Sequence, residues 1–135
     1  MTRATLLYRI GSLVLILFAA GHTYGFLAFK PPTAEGRAVF ESMQNVRFQV
    51  KSAVYSYGGF YQGFGLSITA NLLLLVYLSW HLGSMAATNP QSIGFLGWAF
   101  FALQLVSLVL SWIYFSAGPA ILSGLLAVLL GWAAS

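Results

Sequence analysis

The chain predicts an all-α, polytopic membrane protein: an antiparallel four-transmembrane-helix bundle with an amphipathic helix in its first loop. Three observations lead there. Of the 135 residues, 59% are hydrophobic and 6% charged, whereas a soluble domain carries roughly 25% charged residues. The apolar residues gather into four runs near the ~20 residues that cross a bilayer core as a helix. The charges lie outside those runs: Arg3 and Arg9 come before the first, and Lys30, Glu35, Arg37, Glu41, Arg47 and Lys51 fall in the first loop, with none after it. A soluble chain of this size has too small an interior to hide so much apolar surface, so the expected solvent is lipid.

The first run, residues 10–29, is bracketed by Arg9 and Lys30. A secretory signal is the competing reading of this end. Apolar character continues to Phe29, longer than a cleaved signal needs, and no A-x-A site follows, so a retained anchor is expected. "KPP" at 30–32 opens a loop over 30–58. Thr33 after two prolines is a fair N-cap. Val39, Phe40, Met43 and Val46 then recur at helical spacing, and Arg37 with Glu41 forms an i,i+4 pair. Residues 34–46 are therefore expected as a short amphipathic helix on the membrane interface. "VRFQVK" (46–51) alternates apolar and polar residues and is expected to be extended. The alternative is that this loop only seals the end of the bundle.

The other spans are expected at about 59–82, 93–115 and 119–134, separated by "TNPQS" (88–92) and "SAGP" (116–119). Pro119 suits the first turn of the last helix. Trp98, Trp112, Tyr114 and Trp132 lie toward span ends, where interfacial aromatics are favoured. Two very short connections imply antiparallel neighbours. Both termini and the second loop then share one face, and the first and third loops share the other. Two arginines against four Lys/Arg lean toward a cytoplasmic first-loop face.

Several functions are excluded or disfavoured. The net charge of +4 is scattered around apolar spans rather than gathered in a patch, so membrane lipids, not nucleic acid, are the expected partners. The chain has no cysteine, which excludes thiolate catalysis, disulfide exchange and cysteine-ligated metal. His22 and His81 are expected on the order of 20 Å apart along the membrane normal, too far to clamp one haem, and no ligand spacing for zinc is present. No cofactor or metal is expected. No acidic residue lies in a span, which argues against proton-driven transport, and the halves show no inverted repeat.

Within the spans, "GHTYGFLAF" (21–29) stands out, because an ionisable group inside a membrane is costly and by default suggests function. His22 is expected roughly 10 Å below the first-loop interface. Tyr61, Gln62, Ser111 and Tyr114 from the other spans and Glu41 and Arg47 from the loop could converge with it on a polar pocket. The plainer alternative is a histidine satisfied by one serine or backbone carbonyl at a helix contact. His81, beside Trp80, reads as interfacial. Gly21 with Gly25 and Gly59 with Gly63 form small-x3-small faces that would let two helices approach closely, with Gln62 as the expected partner of His22. Deeper in, Asn71 and Gln104 are expected to hold helices together by side-chain hydrogen bonds.

"GHTYGFLAFKPP", the amphipathic loop and "FYQGFGLS" (60–67) together resemble a group of small bacterial four-helix membrane proteins without an assigned activity. The resemblance covers roughly residues 8–83. Its G-H-T-x-G motif falls on Gly21, His22, Thr23 and Gly25, and its F-Y-x-G-F-G motif on Phe60, Tyr61, Gly63, Phe64 and Gly65. It implies a bacterial inner-membrane setting and no particular chemistry. Members tend to carry an acid just before the second motif, where this chain has Gly58 and Gly59, which weakens a catalytic role for the histidine.

Two functions remain open. One is a structural or lipid-contacting membrane module or complex subunit, alone, as a homo-oligomer or with a membrane-protein partner. The other is a membrane enzyme or lipophile-binding protein holding a lipid, quinone or sterol-like ligand around His22. A glutathione-transferase-like trimer is similar in size but places charges in its first loop and second helix that are not matched here. A channel would need oligomerisation to enclose a pore.

Overall fold

The computed structural model describes all residues, 1–135. The element order is α1 (Arg3–Ala28), α2 (Ala34–Asn45), β1 (Arg47–Val50), β2 (Ala53–Ser56), α3 (Tyr57–Thr88), α4 (Phe95–Tyr114) and α5 (Ala117–Ala134), with a 3-10 turn at Pro90–Ser92 before α4. Four of the helices, α1, α3, α4 and α5, are long and apolar enough to cross a membrane. The chain divides into two compact units, one of Met1–Ala19 with Leu72–Ser135 and one of Ala20–Asn71.

Two helices outrun the spans expected of them. α1 begins at Arg3 rather than residue 10, and α3 runs from Tyr57 to Thr88. Hydropathy marks where the apolar stretch ends, but a helix continues until its backbone is broken. Arg9 is a good helix former, and Ser84–Thr88 holds no proline or glycine, so neither boundary stops the coil. Pro90, just past Thr88, does.

In the first unit the core is built from Tyr8, Leu15, Leu72, Leu82, Phe100, Leu126 and Leu130. Polar side chains are buried with them: Thr5, Ser12, Ser79, Gln104, Ser111 and Ser123. Ser79 Oγ donates to the Tyr8 carbonyl at 2.7 Å and Ser12 Oγ to the Val76 carbonyl at 3.0 Å, stitching α1 to α3. Small residues take side chains from the neighbouring helix. A Cβ on Gly131 would stand 2.9 Å from the Phe101 ring, one on Gly97 3.3 Å from Ala134, and one on Gly124 3.7 Å from Leu108, so α4 and α5 lie in close contact. Gly94, at φ +49° just before α4, holds a backbone conformation that favours glycine.

The second unit holds the ends of α1 and α3 that the first does not, together with α2 and a hairpin. Thr33 caps α2, its Oγ1 accepting from the Gly36 amide at 3.0 Å. Arg37 Nη1 donates to the Pro32 carbonyl at 3.1 Å, in place of the pair expected with Glu41; a fixed backbone acceptor nearby competes well with a solvated carboxylate. The extended "VRFQVK" pairs as β1 with β2, antiparallel, from Arg47 opposite Ser56 to Val50 opposite Ala53. Lys51 turns the hairpin at φ +54°. Around it Phe48 meets Tyr55, Tyr57 and Phe60, and Phe60 meets Phe64, at centroid distances of 4.8–6.0 Å.

Candidate functional site

The second unit places His22 half-buried on α1, its Nε2 3.1 Å from the carbonyl oxygen of Gly65 on α3. A carbonyl only accepts, so Nε2 carries the hydrogen. Thr69 Oγ1 reaches the same oxygen at 3.4 Å and lies 2.9 Å from Thr23 Oγ1. His22 stacks on Phe26 at 5.9 Å and 6°, and Phe26 tilts against Tyr61 at 5.3 Å. The Phe26 ring occupies the space that a Cβ on Gly65 would need. Because Gly65 has no side chain, the ring can lie over the helix, and the adjacent carbonyl stays within reach of the imidazole.

This geometry follows the plainer expectation for His22, a backbone carbonyl at a helix contact, with Gly65 and not Gln62 as the partner. The glycine pairs also differ from expectation. A Cβ on Gly21, Gly25 or Gly63 would have nothing within 4 Å, and one on Gly59 would meet only Ser56 Oγ, 3.1 Å away within the same turn. Spacing alone identifies helix faces that could approach, but the side chain that fills the notch decides which one does. Here it is Phe26, and it selects Gly65, which sits outside both four-residue pairs. Asn71 does not bridge helices: Nδ2 donates to the Ser67 carbonyl of its own helix at 2.9 Å, on an exposed face. A side chain that satisfies itself four residues back no longer needs a neighbour. Gln104 is buried at 2% exposure, and its Nε2 has no partner.

Of the other residues expected around a pocket, Gln62, Tyr61, Glu41 and Arg47 are exposed in the second unit, and only Tyr61 is tied to His22, through Phe26. Ser111 and Tyr114 belong to the first unit, where Ser111 is buried and Tyr114 is 72% exposed. A shallow apolar groove of about 350 Å³ in the second unit is lined by Ala38, Val39, Ser42, Met43, Val46 and Tyr57. None of the expected pocket residues lines it. No group of three or more His, Cys, Asp or Glu side chains is placed to hold a metal ion. His81 is exposed and stacks on Tyr77 at 5.8 Å.

Chemically, His22 is a hydrogen-bond donor to a backbone oxygen and an aromatic stacking partner. Nucleophilic or acid–base catalysis needs a base held by a second polar side chain and aimed at a reacting atom. The contacts of the imidazole are instead the Gly65 carbonyl and the Phe26 ring. Sequence reasoning missed Gly65 and Phe26 as a contact, and Ser12 and Ser79 as the hydroxyls joining α1 to α3. The hydroxyls left one trace, since Ser12 sits about one turn from the apolar Tyr8 and Leu15 and two turns from Ala19 on one helix face.

No family model, curated protein or solved structure matches this chain.

Proposed function

We propose that the protein is a multi-pass, antiparallel four-helix integral membrane protein acting as a structural or lipid-contacting module. The observation that carries this is the apolar surface that the long helices of the first unit leave exposed while polar side chains are buried in its core. Six hydroxyl and amide side chains are buried there, while Leu17, Leu74, Ile113 and Val128, one from each long helix, are 61–67% exposed. Water would penalise that arrangement, whereas lipid tails are as apolar as leucine and leave polar groups to seek one another inside. An antiparallel course is supported by the order of partners: Thr2, just before α1, and Tyr8 and Ser12 within it meet Ala86, Ser79 and Val76, so partner numbers fall as residue numbers rise. The pairs Gly97–Ala134, Phe101–Gly131 and Leu108–Gly124 do the same for α4 and α5. The exposed aromatic cluster around Phe48, with the basic residues of the first loop, suits a headgroup interface. A bacterial inner membrane is the setting that the motif resemblance implies, and it is proposed on that resemblance alone.

Lipid extraction and native mass spectrometry on gently purified protein, wild type beside His22→Ala, test this function. The same lipids, in the same proportions, are expected from both. A specific quinone or sterol-like lipid held by wild type and lost from a folded His22→Ala would replace it with a lipophile-binding function.

A further inference from the structure

In the first unit the only charged side chains are Arg3 and Arg9, and no Asp or Glu belongs to it. Both arginines lie over tryptophans: Arg3 Cζ is 5.7 Å from the Trp132 ring centroid and Arg9 Cζ 4.7 Å from that of Trp80. Arg9 is the more firmly seated. Its Cγ lies 3.3 Å from where a Cβ on Gly83 would stand, so the stem crosses α3 at a glycine, and its Nε is shielded without a hydrogen-bond partner. The stem is thus fixed by packing and one face of the guanidinium by the indole. An unneutralised positive charge remains beside apolar surface.

We propose that Arg9, held across Gly83 and over Trp80, binds the phosphate of an anionic glycerophospholipid. Its acyl chains run along the exposed flank formed by Ile10, Leu13 and Tyr77, which are 37%, 56% and 65% exposed. The site rests on the membrane placement proposed above. One feature suits any phosphate, and three more favour a lipid over a soluble anion. A guanidinium is a planar fork that matches phosphate oxygens and needs less hydration than an ammonium. Tryptophan is at home at headgroup depth. α1 is about 39 Å long against ~30 Å of hydrocarbon, so Arg9, about 9 Å from its start, falls at an interface. Ser12 pairs with Val76, so Leu13 and Tyr77 lie at one level on the bilayer side of Arg9 and Trp80.

The test reconstitutes the full chain in nanodiscs of equal phosphatidylglycerol and phosphatidylcholine, then counts the lipids retained on release by native mass spectrometry. Wild type is expected to retain phosphatidylglycerol about fivefold over phosphatidylcholine, the gain one basic side chain brings at an anionic surface. The ratio falls toward one in Arg9→Gln and persists in Arg47→Gln, which removes a first-loop charge instead. Excess inorganic phosphate leaves the lipid in place. Equal retention in wild type, a preference that survives Arg9→Gln, or displacement by inorganic phosphate would each overturn the proposal. If Arg9→Gln does not enter the discs, Trp80→Leu decides, because it keeps the charge and removes its platform: a lowered ratio supports the site and an unchanged one overturns it. Failure of wild type to enter the discs at all is read separately, from incorporation yield, and counts against the membrane placement itself.

Discussion

His22 donates to a carbonyl that Thr69 also approaches, beneath a phenylalanine that fills the space a side chain on residue 65 would take. Each member depends on the others: with a methyl group on residue 65 the Phe26 ring must move, and with it the imidazole stacked upon it. Gly65→Ala is therefore expected to destabilise the protein by about 1–3 kcal/mol, the cost of overpacking a close contact. Gly21→Ala and Gly63→Ala, with open space around them, should change stability little. Thermal unfolding in detergent followed by circular dichroism separates these outcomes, and equal effects at all three glycines would contradict the contact. In the same assay His22→Ala should cost about 0.6–2 kcal/mol, the range for one interhelical hydrogen bond in a membrane protein. That His22 would need a partner was legible in the sequence, because an imidazole in an apolar run must be satisfied. The partner was not legible. A backbone carbonyl leaves no mark on residue identity, and the ring that exposes this one comes from another helix, 39 positions along the chain from Gly65.

Among the elements, those with local causes were the most legible. Two prolines and a threonine stop one helix and start the next, and α2 begins at Ala34 with Thr33 as its cap, as capping chemistry dictates. Alternation in "VRFQVK" foretold extended backbone, but its partner strand, Ala53–Ser56, carries too short a pattern to announce a hairpin. The expected span boundaries fell short at α1 and α3 because membrane thickness limits an apolar run and not the helix containing it. Gln104 and Asn71 show the same limit from the other side. Both are amides in apolar helices, yet one is buried without a partner for its nitrogen and the other bonds to its own turn. Orientation about the helix axis, set by packing, decides between them. Thr33→Ala is expected to cost about 0.5–2 kcal/mol locally. Hydrogen exchange should report it as lost protection across Ala34–Asn45 with α4 and α5 unchanged, and unchanged exchange in α2 would contradict the cap.

For the whole molecule, composition carried most of what could be known. Chain-wide scarcity of charge raises the expectation of a lipid solvent before any element is placed, and four helices long and apolar enough to cross a membrane are what the chain forms. Hydroxyls buried among the core leucines of the first unit, with further apolar side chains left exposed on its long helices, add what composition cannot, a reason for each face. The measurement that tests this most directly uses the absence of native cysteine, which makes single-cysteine labelling free of background. Thr2→Cys, Asn89→Cys, Ser52→Cys, Ser116→Cys and Val106→Cys would each be expressed in membrane vesicles and exposed to an impermeant maleimide. Positions 2 and 89 are predicted to label from one side, positions 52 and 116 only from the other, and position 106, mid-helix and 55% exposed, from neither. Labelling of all four end positions from a single side, or of position 106 in intact vesicles, would contradict a four-span protein with lipid around its helices.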